Sequence, residues 1–128
     1  MSREVIVSDK APAAVGPYSQ GIRANGFVFV SGQGGLIPGT TQLAGNTVAV
    51  QTDQTLKNIA AILQAAGTDM THVVKVTVLL ADINTFAEMN AVYAKYFPVD
   101  RPVRTTYAVK DIPLGALVEI DAIAVMPD

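Results

Sequence analysis

Two carboxylates and one guanidinium stand out in a chain that is otherwise poor in charge. Glu119 and Asp121 lie in the run Leu117-Val118-Glu119-Ile120-Asp121-Ala122-Ile123-Ala124-Val125. Side chains alternate along a strand, so both acids share one side of it with Leu117, Ile123 and Val125. An ionised carboxylate among apolar neighbours is costly unless it is paired or protonated. A carboxyl group with a raised pKa is one natural general acid or base. The same pattern also fits an exposed edge strand with ordinary solvated acids. Arg104, between Val103 and Thr105-Thr106-Tyr107, wants an anionic partner. A guanidinium holds a carboxylate through two parallel hydrogen bonds, which also fixes orientation. An ion pair with Glu119 or Asp121 would satisfy it too, and the sequence alone favours that pairing.

Other candidates carry less. Ser31-Gly32-Gln33-Gly34-Gly35 follows a strand, as a phosphate cradle would. It lacks the spacing of the dinucleotide fingerprint and the lysine of the P-loop, and it opens into a loop. Ser31 is not in a nucleophile elbow, and the single histidine, His72, makes a catalytic triad improbable. His72 reads as a cap or packing residue at the start of its strand. Tyr93 and Tyr96 read as core or interface aromatics. Tyr18, between Pro17 and Ser19, belongs to no helical stripe and either lines a pocket or anchors its loop.

Composition narrows the classes. Of 128 residues, 50% are apolar and 16% are charged, against about 25% charged in an average domain. Disorder is excluded, and no run approaches the ~20 apolar residues of a membrane-spanning helix. Nine Lys and Arg against eleven Asp and Glu leave a net charge of −2, without the basic stripe of a nucleic-acid binder. The length suits one domain. A small domain with so few charges leaves apolar surface that a second copy would cover, so a homo-oligomer is expected. Cysteine is absent, which removes thiol chemistry and Cys-based metal sites. The N-terminal segment lacks the apolar core of a signal peptide, so the expected location is cytoplasmic.

The elements that must position these groups are legible in outline. A first strand is expected at Val5–Val7, then a breaker-rich segment from Asp9 to Gly21 with Pro12, Gly16 and Pro17. Ile22–Ala24 and Phe27–Val30 flank Asn25-Gly26, the strongest short hairpin signal. Ser31–Gly45 reads as a glycine-rich loop. Leu56, Ile59, Ala60 and Leu63 predict a helix that Gly67 ends. Val73–Leu80 predicts a strand with Val74, Val76, Val78 and Leu80 on one face. Thr85-Phe86-Ala87-Glu88 predicts a capping box, followed by a helical stripe of Phe86, Met89, Tyr93 and Tyr96. Strands are expected at Arg104–Val109 and Leu117–Val125, about a turn at Pro113 and Gly115. The order β-β-β-helix-β-helix-β-β implies an α+β two-layer sandwich with both helices on one face of the sheet.

Several segments together resemble the RidA/YjgF family of reactive-intermediate imine and enamine deaminases, also known as the endoribonuclease L-PSP family. They are Ala11–Gly21, Val30-Ser31-Gly32-Gln33, Gln54–Gly67, Asp82–Phe97, Arg101-Pro102-Val103-Arg104-Thr105, Ile112-Pro113 and Val118–Ala124. The likeness runs through the chain, residues 1–128, in order. It implies a chorismate-mutase-like sandwich, a mixed sheet of about six strands with two helices on one face, assembled as a homotrimer with clefts between subunits. It implies hydrolysis of 2-imino acids such as 2-aminoacrylate's imine to 2-keto acids and ammonia, an activity of the 2-iminobutanoate/2-iminopropanoate deaminase type. It implies no metal or cofactor. By resemblance Arg104 binds the substrate carboxylate, Glu119 stands beside the imine, and Tyr18, Ser31, Gly32 and Asn90 line the cleft. Thr106 takes a lining position where many members carry a cysteine, so thiol chemistry there is impossible. Pro38-Gly39-Thr40-Thr41-Gln42-Leu43 also departs from the usual loop. Two other functions stay open: a keto- or amino-acid-binding trimer without turnover, and an endoribonuclease or translation inhibitor.

Overall fold

The structure, a computed structural model, describes residues 2–128. Six strands form one mixed sheet: β1 (Arg3–Ile6), β2 (Gly21–Ala24), β3 (Phe27–Gly34), β4 (Val73–Leu80), β5 (Val103–Ala108) and β6 (Val118–Val125). Two helices join them, α1 (Val48–Ala66) between β3 and β4, and α2 (Phe86–Tyr96) between β4 and β5. The sheet order is β1-β2-β3-β6-β4-β5. Only β4 and β5 pair in parallel. The last strand is inserted between β3 and β4, so the C-terminal acids arrive in the interior of the sheet, not on an edge. The α+β two-layer reading is correct.

Local chemistry explains most boundaries. Asn25 and Gly26 both take positive φ, 53° and 81°, as a type I′ turn requires. Thr47 caps α1 by accepting from the Val50 amide, and Gly67 ends it at φ 92°. Both helices cover one face. Leu56, Ile59, Ile62 and Leu63 of α1 and Met89 of α2 are fully buried with Val28, Val76, Val78, Val118 and Ile120 of the sheet.

Four local expectations are corrected. Val74 is 40% exposed and Val73 is buried in its place. A register shift against β6 between Val73 and Lys75 turns that end of β4 over, which alternation cannot foresee. Strand β3 runs on to Gly34, so the loop begins later than Ser31. The capping box does not form: Thr85 Oγ1 donates to the Asp82 carbonyl, while Glu88 Oε2 accepts from the Ala49 amide. The carboxylate thus caps the first turn of α1 from the neighbouring helix, where the helix dipole favours it. On α2 only Met89 and Tyr93 are buried, and Phe86 is left 38% exposed. The departing loop is ordered by a Leu36–Leu43 bridge and by Ile37 N donating to the Gln42 carbonyl.

Candidate active site

Glu119 and Arg104 come to opposite faces of the sheet. Arg104 pairs with Val76, whose side chain is fully buried beneath the helices. Glu119 pairs with Leu79, which alternates with the buried Val78 and Leu80 and so points the other way. Strand β4 lies between β5 and β6, which sets their backbones roughly 10 Å apart. The two strands are consecutive in the chain but not neighbours in the sheet. The expected ion pair between Arg104 and either acid is absent.

The Arg104 half is built by aromatic stacking. The guanidinium lies 4.7 Å from the Tyr93 ring centroid and 5.5 Å from that of Phe86. Stacking on α2 fixes the plane of the cation and leaves its edge N–H groups available to a carboxylate. A cavity of about 320 Å³ opens there, lined by Asn90, Tyr93, Arg101 and Arg104. Three buried polar atoms around Arg104 have no hydrogen-bond partner: Asn90 Oδ1, Tyr93 Oη and Thr106 Oγ1. Buried polar atoms are normally satisfied, so an unpaired group of them beside a fixed cation suits a polar ligand. Burial raises the Tyr93 hydroxyl pKa and the Arg104 charge counters that, so the phenol stays neutral and can donate.

The Glu119 half is built by a missing side chain and by amide clamps. Its cavity is about 420 Å³ and includes Tyr18, Ser31, Gly32, Leu114 and Glu119. A Cβ on Gly32 would stand 2.6 Å from Glu119 Oε2, so only glycine leaves room for the carboxylate. Ser31 and Gly32 lie within the register irregularity between Val30 and Gln33, where strand β3 bulges beside β6. The Ser31 hydroxyl donates to the Gln20 carbonyl at 3.0 Å and accepts from Gln33 Nε2 at 3.3 Å. Engaged on both sides, it is a wall of the cavity and not a nucleophile. Burial raises the Glu119 pKa, and the negative charge of Asp121 on the same face adds to the effect. A carboxyl group held above its ordinary range gives and takes a proton more readily than a solvated one, which suits a general acid–base role.

Buried amides hold the loops around this half. Gln20 Oε1 accepts from the Ser8 amide at 2.7 Å, and its Nε2 donates to the Pro12 carbonyl at 2.7 Å. That closes the neck of the loop bearing Tyr18, whose hydroxyl accepts from the Val15 amide at 3.2 Å. Tyr18 therefore both lines the cavity and anchors its own loop. Gln51 accepts from the Leu117 amide and donates to the Gly45 carbonyl, each at 2.8 Å. Asn58 Nδ2 donates to the Leu36 carbonyl at 2.9 Å. Leu114 holds a positive φ of 64° on the cavity wall, an uncommon backbone for a leucine and a local strain.

Sequence reasoning missed Gln20, Gln51, Asn58, Phe86 and Tyr93 as parts of the site. Gln51, Thr55 and Asn58 at i, i+4, i+7 were a readable signal, a polar row inside a helix otherwise read by its apolar stripe. Phe86, Asn90 and Tyr93 have the same spacing on α2. His72 is remote from both cavities; its Nδ1 lies 2.9 Å from Asp69 Oδ1 at the start of β4.

A central strand flanked by an antiparallel hairpin and a parallel edge, two helices on one face, and acid and guanidinium half-sites on opposite sides define a class of small α+β sheet proteins. Residues 8–126 match the family described as Endoribonuclease L-PSP, and the chain belongs to that family. It is 50% identical over 126 residues to Reactive Intermediate Deaminase A, chloroplastic, of Arabidopsis thaliana, covering 98% of this chain and 67% of that protein. It is 50% identical over 123 residues to the 2-iminobutanoate/2-iminopropanoate deaminase of Bos taurus, covering 96% and 90%. The crystal structure of E. coli TdcF with bound serine superposes with a TM-score of 0.92 at 36% identity, covering 97% of this chain and 99% of that one.

Proposed function

We propose that this protein hydrolyses small 2-imino acids to 2-oxo acids and ammonia, at clefts formed between copies of the chain in a homotrimer. The observation that carries this reading is the division of the site. An aromatic-stacked guanidinium beside unpartnered buried polar atoms lies on one face, and a half-buried carboxyl group over a glycine lies on the other. One chain cannot bring them to one small molecule, whereas Arg104 of one copy and Glu119 of another can face each other across a seam. The names of the relatives support the substrate class.

In the reaction, Arg104 holds the substrate carboxylate through paired hydrogen bonds and places the imine carbon in the cleft. Asn90 and Thr106 supply polar groups beside it, and Tyr18, Ser31 and Gly32 shape the opposite wall. Water adds its oxygen to the imine carbon as the imine nitrogen takes up a proton, giving a neutral carbinolamine. Glu119, or a water it holds, accepts the proton of the attacking water and passes it to the carbinolamine nitrogen, whose own added proton came from solvent. The C–N bond then breaks, ammonia leaves, and the remaining hydroxyl becomes the keto oxygen by returning its proton to solvent, so one water is consumed for each ammonia released.

The test adds the purified protein to an amino-acid dehydratase that releases 2-aminoacrylate, and follows keto acid and ammonia. Acceleration that Arg104→Ala abolishes is expected; no acceleration, or an unimpaired variant, refutes the proposal. A binding-only protein is the second reading, which the serine-bound relative favours. Saturable 2-oxobutanoate binding with no effect on imine decay would establish it instead.

A further inference from the structure

The cavity over Arg104 contains a second guanidinium. Arg101 Nε donates to the Phe97 carbonyl at 2.7 Å, which fixes the side chain at the C-terminal end of α2. Among the described residues, neither Arg101 nor Arg104 has a carboxylate within ion-pairing distance. Both line the same cavity of about 320 Å³. Tyr93, 95% buried, lines the same cavity under Arg104 and carries an unpartnered hydroxyl. Two like charges lining one cavity repel each other, less where water reaches them as at the exposed Arg101, and an anion held by both relieves that repulsion. Apart from Arg101 Nε, the N–H groups of the two guanidiniums donate to no residue among those described, so their natural complement is an anion with two charged ends.

We propose that this cavity binds dianionic 2-oxo and 2-imino acids, with one carboxylate on Arg104 and the second on Arg101. The inference rests on the carboxylate-anchoring role proposed for Arg104 and extends it to a substrate class. Arg101 then acts as a specificity-determining residue: it adds nothing to a monocarboxylate and strengthens the hold on a dicarboxylate. Tyr93 Oη donates to whichever carboxylate lies between the two cations.

Calorimetric titration of the whole protein with 2-oxobutanoate and with 2-oxoglutarate tests it. In the parent protein the dicarboxylate is expected to bind at least about 5-fold more tightly, since charged hydrogen bonds are the stronger kind. Arg101→Gln should erase that preference while shifting 2-oxobutanoate affinity less than about 2-fold, and Arg101→Lys should restore part of it. Arg104→Gln should weaken both ligands. No dicarboxylate preference in the parent overturns the proposal. So does an Arg101→Gln variant that weakens both ligands equally, as it would if Arg101 served only to cap α2. An Arg104→Gln variant that binds both ligands like the parent would instead defeat the anchoring role itself, a different result from the loss of dicarboxylate preference alone.

Discussion

The two halves of the site are made by opposite means. Around Arg104, side chains have been added: Tyr93 and Phe86 stack on the cation, and α2 lays them over an edge strand. Around Glu119, a side chain has been removed: Gly32 leaves the volume the carboxylate occupies. The first half orients a permanent charge, which needs planar contacts and an unshared edge. The second tunes a titratable one, which needs partial burial and close backbone. The halves also differ in support. Arg104 depends on one helix, whereas Glu119 depends on loops tied by Gln20 and Gln51 to distant carbonyls and amides. A positive charge keeps its state in either setting; a carboxyl group takes its state from the setting.

Separating the roles kinetically would sharpen this contrast most. Glu119→Gln should lower kcat by ~10²–10⁴-fold, the usual contribution of one acid–base group, with KM little changed. Arg104→Ala should act chiefly through KM, raising it roughly 10–100-fold, the worth of hydrogen bonds to a charged group. Equal effects on both parameters in both variants would erase the division of labour. Gly32→Ala should cost about tenfold in kcat, because a Cβ there displaces the Glu119 carboxylate by an ångström or so without unfolding the strand. A fully active Gly32→Ala would show that the room is not needed.

The charge state gives a stability test with a definite sign. The Glu119 pKa is raised in the folded protein, so folding is disfavoured by its ionised form above that raised value and is not disfavoured below the ordinary carboxylate range. Glu119→Gln should therefore melt at a higher temperature than the parent near pH 7, and the gain should vanish by about pH 4. Thermal melts across pH, monitored by circular dichroism, check this; a variant that melts lower at neutral pH would mean the carboxylate is stabilised, not strained. The smallest effect is expected away from both halves. Tyr96 Oη donates to Asp53 Oδ1 at 2.5 Å, joining α2 to α1, and this bond helps hold the Asp53 pKa below its ordinary value. Tyr96→Phe should cost about 1 kcal/mol near neutral pH, and the cost should shrink as pH falls through that lowered value, while kcat and KM stay as in the parent.

Some of this architecture could be read without coordinates because its causes are local. Asn25-Gly26 demands its turn whatever surrounds it, and Gly67 ends α1 by the backbone freedom it alone has there. The apolar period of α1 and the alternation around Glu119 and Asp121 follow from helix and strand geometry. The lining roles of Tyr18, Ser31, Gly32, Asn90 and Thr106 follow from resemblance, and the structure divides those residues between two cavities on one chain, except Thr106, which lines neither and lies two residues along β5 on the same face as Arg104.

What the amino-acid order could determine by itself was, in outline, which segments become helix or strand, and that Arg104, Glu119 and Asp121 stand as charges in runs otherwise poor in charge. The tertiary structure decided the rest. Inserting β6 between β3 and β4 placed Glu119 over Gly32 and put a whole strand between the acid and Arg104. A bulge reversed Val73 and Val74, and Glu88 left its own helix to cap another. Each of these turns on which distant backbones become neighbours, and period and propensity along the chain carry no record of that choice.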